Sequence, residues 1–495
     1  MNNLLSFCAA SSGLHINIVT GCRNSMTTTS KLRWASALAG LSLTTLPASA
    51  MTLSEAVGAT LSSNPAILQA GENREATEFE LRQARGALLP SVDLEAGYAE
   101  RRLKSPTTGG LYRNLDPAYA TATLSQKLFD GGVTRSEIAR AAARVDSASF
   151  KVEERSEMLA LETVQAYLEY LLQSEVVRIS QENLAFHQRF LDDINQAIEG
   201  GTLTDADRLQ GIERSEAASS RLVQANEELD AAAIRFLTLV GEPIGNVTTP
   251  VSISGAIPVS LENAIGVARL NHPALMASRA DVDAADAAVR GARGQYLPTV
   301  NFEVSATAGE DTTGFVGENE SLQAGVVARW KLYAGGMRAA NEQEKIRRAS
   351  ESRYGLELAA REVEQTLRMA WSERTNQSEL ARTLSRQSDA NDRLVSSYRD
   401  QFTVGRRSLL DVLDAQNSRL NTSILAKTSE FSAMFAEYKI LAAMGELVNI
   451  MEGQYIAQSE AYARDAFDVK QAPDTLAYER DESRQTPIGF GPFGE

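Results

Sequence analysis

The chain repeats itself, and this constrains its fold more than any other feature. Leu53, Ala56 and Asn64-Pro65-Ala66 recur as Leu261, Ala264 and Asn271-His272-Pro273-Ala274, with Pro65 and Pro273 lying 208 positions apart. Arg85-Gly86-Ala87-Leu88-Leu89-Pro90-Ser91-Val92 is answered at the same offset by Arg293-Gly294-Gln295-Tyr296-Leu297-Pro298-Thr299-Val300. Further on, Lys127-Leu128-Phe129-Asp130-Gly131-Gly132 pairs with Lys331-Leu332-Tyr333-Ala334-Gly335-Gly336 at 204. Gly201 with Gly405, Asp207 with Asp411 and Gly241 with Gly445 keep that second offset. One four-residue length change between Pro90 and Lys127 accounts for the slip. The 495 residues would otherwise suggest several unrelated domains.

Each half predicts the same order of elements. A helical segment, about 53–88 in the first half, stops at a proline that a helix interior tolerates poorly. Strand alternation follows: Val92, Leu94, Ala96 and Tyr98 face one way, Asp93 and Glu95 the other. A partner strand sets Ala118, Ala120, Ala122 and Leu124 against Tyr119, Thr121, Thr123 and Ser125. The second half repeats this with Val300, Phe302, Val304 and Ala306, and then with Leu322, Ala324, Val326, Ala328 and Trp330. Period two with one apolar face is the pattern of a strand whose other face is wet. The glycine pairs Gly131-Gly132 and Gly335-Gly336 then turn the chain from strand to helix. From Val133 to Glu199 there is neither Gly nor Pro, enough for a helix of about 100 Å at 1.5 Å per residue. Its counterpart, Met337 to Val404, contains only Gly355. Both turn at glycines, Gly200-Gly201 and Gly405, into return helices ending at Gly241 and Gly445.

The domain reading follows. Residues 1–50 form a leader, 51–248 a first repeat with a hairpin at about 90–129 and a helical hairpin at about 133–240. Residues 249–451 form a second repeat with a hairpin at about 298–333 and a helical hairpin at about 337–445, and 452–495 a polar tail expected to be disordered or loosely strapped outside the body. Within the leader, Lys31 and Arg33, the apolar run Trp34 to Leu46 and Ala48-Ser49-Ala50 read as a secretory signal, with residues 1–25 an upstream extension of the reading frame. Val19-Thr20-Gly21-Cys22 resembles a lipoprotein cleavage box, but no Lys or Arg precedes Cys22. Cys8 and Cys22 are the only cysteines, so the exported chain has no disulfide and no thiolate chemistry. Removing Arg23, Lys31 and Arg33 deepens the net charge from −15 to −18, which argues against nucleic acid as a partner. Beyond Ala50 no apolar run approaches the roughly 20 residues of a membrane-spanning helix, so any membrane crossing must use strands.

Four strands cannot close a membrane barrel, since the smallest have about eight, and open edges are not tolerated in lipid. If these strands span a bilayer, the chain must therefore oligomerise. Its long helices, rich in small and polar residues as in Ala139-Arg140-Ala141-Ala142-Ala143-Arg144, suit the wall of a tube. The tandem repeat, Leu128-Phe129-Asp130-Gly131-Gly132 with its copy Leu332-Tyr333-Ala334-Gly335-Gly336, and the stretch Val404 to Asn417 (V-G-R-R-S-L-L-D-V-L-D-A-Q-N) together resemble the TolC-like outer-membrane channel-tunnel family over about Met51 to Met451. That resemblance implies a mixed α and transmembrane β fold. It implies a homotrimer whose twelve-stranded β-barrel in outer-membrane lipid continues as a twelve-helix α-barrel across the periplasm, closed by an iris at the helical-hairpin tips.

At those tips Thr204-x-x-Asp207 and Ser408-x-x-Asp411 fit capping boxes, which satisfy free backbone N–H groups at a helix start. Asp414 lies one turn further in, where a lone carboxylate is ordinarily solvated. In a trimer Asp411 and Asp414 would each form a carboxylate ring, a device that selects ions. The resemblance implies a gate lock between Arg407 and Asp207. The tyrosine hydroxyl that the family adds to this lock is absent here, because Phe402 holds the matching position.

Enzyme chemistry finds no footing. His15 lies in the leader, and neither His187 nor His272 sits in a catalytic or metal-binding motif; no P-loop occurs, and no metal or cofactor is expected. The expected function is a passive outer-membrane export channel serving type I protein secretion, with a periplasmic adaptor, an inner-membrane ABC transporter and a protein cargo. The alternative is the duct of a multidrug efflux system with a proton-driven pump and small-molecule cargo. A periplasmic coiled-coil adaptor or structural protein is a third reading, but it has no use for two amphipathic hairpins.

Overall fold

The computed structural model describes residues 51–451 and 453–473. The expected leader and signal peptide, and the tail from 474 onward, lie outside the described residues. Helix α1 (Leu53–Ser63) starts at Thr52, whose hydroxyl accepts from Glu55 N at 3.2 Å while Glu55 Oε2 accepts from Thr52 N at 2.7 Å. Helix α2 (Pro65–Gly86) follows at once. The single helix expected over 53–88 is therefore two. Asn64 ends the first in an extended conformation and caps the second by accepting from Ala66 N at 2.9 Å, with Pro65 at a first-turn position that needs no N–H donor.

After α2 come β1 (Ser91–Tyr98), β2 (Arg101–Lys104), β3 (Tyr112–Leu115) and β4 (Ala118–Phe129), then α3 (Val133–Glu199) and α4 (Asp205–Val240). The second half runs α5 (Leu261–Asn271), α6 (Pro273–Gly294), β5 (Thr299–Glu310), β6 (Glu318–Arg329), α7 (Met337–Thr403) and α8 (Leu409–Met444). Lengths match pairwise: 11 residues in α1 and α5, 22 in α2 and α6, 67 in α3 and α7, 36 in α4 and α8. The first hairpin carries more than the two strands expected of it. Its tip folds into the separate β2–β3 ribbon, where the Arg102 guanidinium lies 4.7 Å from the Tyr112 ring centroid.

The four long strands form one antiparallel sheet in the order β1-β4-β5-β6. Its register aligns Leu94, Ala122, Ala306 and Leu322 across one face and Asp93, Thr123, Ser305 and Gln323 across the other. The apolar face is uncovered: Val92 is 71%, Leu94 77% and Leu322 79% exposed. Among the described residues, strands β1 and β6 each pair on one side only. At the exit from β4, Gly131 has φ 71° and packs so closely on the end of α6 that a Cβ there would lie 2.3 Å from Gly294 O.

The helices lie side by side. Near the sheet α3 is flanked by α2 and α6, and farther away by α4 and α8, while α7 runs along α6 and then α8. α2 abuts α4 end to end, Asn64 Nδ2 donating to Leu239 O at 2.9 Å, and Asn271 Nδ2 donates to Glu446 Oε1 at 2.6 Å at the matching junction of α6 and α8. The largest core lies at these junctions, where Leu61, Tyr167, Phe236, Leu275, Tyr438 and Leu441 are buried. Among the described residues no helix is long and apolar enough to cross a membrane.

The expectation of a loose tail fails over 453–473, which dock against the helices through buried carboxylates. Arg464 Nε donates to Asp146 Oδ2 at 3.0 Å and its Nη1 to Asp283 Oδ2 at 2.8 Å, tying α3 to α6. Ala463 N donates to Asp146 Oδ1 at 2.7 Å and Ala472 N to Asp283 Oδ1 at 2.6 Å. Glu157 accepts from Leu447 N and Val448 N at 3.1 Å each and from the Tyr455 hydroxyl at 2.7 Å. Asp146, Asp283 and Glu157 are thus buried and each meets donors from the segment after α8.

Two predictions follow from these buried charges. Arg464→Ala strands two carboxylates and should cost about 3 kcal/mol, releasing residues 453–473 to limited proteolysis at a rate well above that of the unaltered protein. Burial pushes Glu157 up to about 7, and burial with the neighbouring Glu157 charge does the same to Glu153. A carboxyl raised in the folded state contributes stability below about pH 4.5 that is lost as pH rises through about 7. The melting temperature should therefore fall over that window, and Glu153→Gln should flatten the slope.

Candidate functional site at the helix tips

The two helical hairpins end in turns built alike. At the end of α3, Gly201 takes φ 75°, its N–H bonding Ile198 O at 2.9 Å while Thr202 N bonds Ala197 O at 2.9 Å. At the end of α7, Gly405 takes φ 73°, with Gly405 N on Phe402 O at 2.9 Å and Arg406 N on Gln401 O at 2.8 Å. A left-handed residue followed by these backward bonds closes a helix, and glycine bears that conformation without strain. Gly200 stays right-handed as the C-cap of α3.

Each return helix starts on the expected cap. Asp207 Oδ2 accepts from Thr204 N at 2.9 Å and from its hydroxyl at 2.7 Å. Asp411 Oδ2 accepts from the Ser408 hydroxyl at 2.9 Å and from Ser408 N at 3.3 Å, and Asp411 N returns a bond to Ser408 Oγ at 3.2 Å. These bonds favour the ionised form. The Thr204 backbone and hydroxyl hold Asp207 below the usual carboxylate range, and the Ser408 hydroxyl and backbone, then the Arg407 charge, do so for Asp411. Asp414 lies one turn on along α8, exposed and without a hydrogen-bond or ion-pair partner among the described residues.

Within one chain Asp207 and Arg407 form no ion pair. Arg407 is held by its own hairpin: the guanidinium lies 4.2 Å from the Tyr398 ring centroid, Nε donates to Gln401 Oε1 at 3.0 Å, and Nη1 is 3.8 Å from Asp411 Oδ2. The turn glycines Gly131, Gly132, Gly335 and Gly336, at the opposite ends of the long helices, all take positive φ. His272 caps α6 by accepting from Ala274 N at 3.2 Å, and burial pushes its pKa down to about 4; burial likewise lowers that of His187. Among the described residues no group of three His, Cys, Asp or Glu side chains is placed to hold a metal ion.

Reading the motif missed what fastens the second hairpin to α3. Phe402, notable in the sequence only for its missing hydroxyl, is buried with its ring centroid 5.1 Å from that of Phe190, which in turn stacks on Phe186 at 5.7 Å. Arg399 grips Asp193 through Nη2 at 2.7 Å and Nε at 2.9 Å, and Gln416 Nε2 donates to Asn183 Oδ1 at 2.9 Å. Phe186 and Phe190 sit one helical turn apart on α3, and that spacing was the available signal. At the 204 offset α7 carries Ala390 and Leu394 instead, so only one of the two hairpins has this aromatic anchor. Phe402→Ala should cost about 3 kcal/mol locally. Amide exchange across residues 400–416 should quicken while exchange around Leu441 stays unchanged.

Comparison with known proteins gives consistent likenesses. Residues 56–242 and 264–432 match the family model described as Outer membrane efflux protein. The chain is 26% identical over 380 residues to the outer membrane efflux protein BepC of Brucella suis, covering 76% of this chain and 81% of that one. It is 24% identical over 406 residues to the proteases secretion protein PrtF of Dickeya chrysanthemi, covering 77% and 85%. Its fold matches the crystal structure of the CmeC outer membrane channel of Campylobacter jejuni with a TM-score of 0.71 at 15% identity, over 83% of this chain and 89% of that one.

Proposed function

The chain belongs to the outer membrane efflux protein family, and from that premise we propose that it is the exit duct of a type I protein-secretion system. It is an outer-membrane channel protein, not an enzyme, with its helical part in the periplasm. In our reading residues 51–248 and 249–451 are two channel repeats, and three copies combine them into a twelve-stranded barrel in outer-membrane lipid and a twelve-helix tunnel. The observation that carries this is a four-stranded sheet with one apolar face and two unpaired edges, which no single chain can satisfy in lipid.

The chain supplies a passage and no energy. A periplasmic adaptor and an inner-membrane ABC transporter would drive cargo to the tips, where Asp207 and Arg407 lock the closed state and rings of Asp411 and Asp414 filter what enters. The lock requires Arg407 to leave Tyr398 and Gln401 for an aspartate on a neighbouring hairpin. Asp414 suits a ring because it is exposed and unpaired, and Asp411 because its cap keeps it ionised. The tip sequence Arg406 to Asn417 and the likeness to a protease secretion protein favour type I secretion. The likeness to an efflux protein supports the second reading, a drug-efflux duct with a proton-driven pump.

A quantitative protein inventory of culture medium from a deletion strain and its complemented parent decides between them. Selective loss of one or a few large proteins supports type I secretion, and an unchanged inventory moves the function to small-molecule efflux. In planar bilayers Asp411→Asn with Asp414→Asn should lower the preference for cations over anions several-fold. Arg407→Ala should raise the open fraction; conductance no higher than that of the unaltered channel contradicts the lock.

A further inference from the structure

The two unpaired sheet edges have a template inside the chain. Strands β4 and β5 pair where the first half meets the second, with Leu124 opposite Val304, Ser125 opposite Glu303, Gln126 opposite Phe302 and Lys127 opposite Asn301. The 204 offset carries β4 onto β6 and the residues after it, and the 208 offset carries β5 back onto β1. The same pairing transferred by these offsets sets Ala328 opposite Ala96, Arg329 opposite Glu95, Trp330 opposite Leu94 and Lys331 opposite Asp93.

We propose that the edge formed by β6 and the residues following it, up to Gly336, docks on the β1 edge of a second copy of this chain in that register, with Lys331 paired to Asp93 and Arg329 to Glu95. The inference rests on the reading that copies assemble around a closed sheet, and it specifies which residues meet. Three independent features support it. Apolar residues fall opposite apolar ones and polar opposite polar, whereas a slip of one residue would turn Lys331 onto the apolar face. A slip of two residues one way leaves Lys331 opposite Ser91, and the other way leaves Arg329 opposite Gly97, so only the transferred register pairs both cations with carboxylates. Lys331 has no partner among the described residues of its own chain, while Arg329 already reaches Glu303 at 2.8 Å, which makes Lys331 the sharper reporter.

The third feature lies at the turns. Within the chain Gly131 and Gly294 interlock: a Cβ on Gly294 would lie 2.7 Å from Gly131 O, and one on Gly131 would lie 2.9 Å from Leu297 Cβ. The same two offsets turn this contact into Gly335 of one copy against Gly86 and Leu89 of the next. Gly86 ends α2 without a positive φ, and a Cβ there would meet nothing within 4 Å among the described residues of its own chain. Neither its conformation nor any described residue of its own chain requires glycine. A neighbouring backbone packed against it does.

The cysteine-free exported chain allows a direct test. Directly opposite residues have Cβ atoms about 5 Å apart and diagonal ones about 7–8 Å, and a disulfide needs Cα atoms within about 7 Å. Ala96→Cys with Ala328→Cys, oxidised in isolated outer membranes, should give covalent oligomers on non-reducing gels at least tenfold more efficiently than Ala96→Cys with Val326→Cys or with Trp330→Cys. A dominant product from either displaced pair overturns the register while leaving assembly intact. No disulfide from any pair, in protein that an amine-reactive crosslinker still captures as an oligomer, overturns the docking edge. Failure of both chemistries removes the assembly reading itself. Asp93→Lys and Lys331→Asp should each lower the heat resistance of the oligomer and restore it together. Gly86→Val should reduce assembly several-fold without changing the chain's own secondary structure; undiminished assembly contradicts the turn contact.

Discussion

A strand edge in lipid leaves N–H and C=O groups that nothing around them can satisfy, each at a cost of several kcal/mol. Strands β1 and β6 each present such an edge, on a sheet whose apolar residues are exposed on one face. The rest of the molecule is organised around that constraint. Four strands are too few to curl closed alone, and the proposed assembly completes the sheet with strands from outside the chain. The helices continue the strands through glycine turns that let β4 and α6 approach to backbone contact. In the proposed assembly this unsatisfied hydrogen-bond ladder is what copies of one chain satisfy by sharing a single sheet.

The helical part meets a milder form of the same demand. Helices lying side by side with water on either face have little room for a wide apolar core, and the buried stretches of α3 use small residues such as Ala141, Ala142 and Ala143 to bring neighbours close. Specific polar contacts add to this packing. Arg464 lies between Asp146 and Asp283, and Glu157 collects three donors, so the segment after α8 straps helices of both halves together. At the far end the aromatic contact of Phe190 with Phe402 and the Arg399–Asp193 pair bind α7 and α8 to α3. The tip residues proposed for gating sit just beyond this anchor.

Much of this was legible in the sequence because it is periodic. The absence of Gly and Pro from Val133 to Glu199 predicted a helix whose bounds the structure reproduces, and the alternation around Leu94 and Leu322 predicted strands and their apolar face. Features set by one or two residues were harder to read. Asn64-Pro65 looked like the interior of a longer helix until the cap geometry split it, and the β2–β3 ribbon lies in a stretch with no alternation long enough to register. The strap was missed because a polar tail of mixed charge reads as disordered or loosely attached, and only tertiary structure reveals the buried carboxylates that receive Arg464. At the tips Asp207 and Asp411 were legible as caps, whereas the cation-π contact of Arg407 with Tyr398 depends on a turn geometry that spacing does not encode.

The central claim is that one chain is an incomplete part of a closed duct. Native mass spectrometry of the protein released intact from outer membranes in mild detergent tests it most directly. The account predicts a single species of three copies, the number that makes twelve strands from four per chain. A monomer, or an assembly of any other copy number, would contradict it.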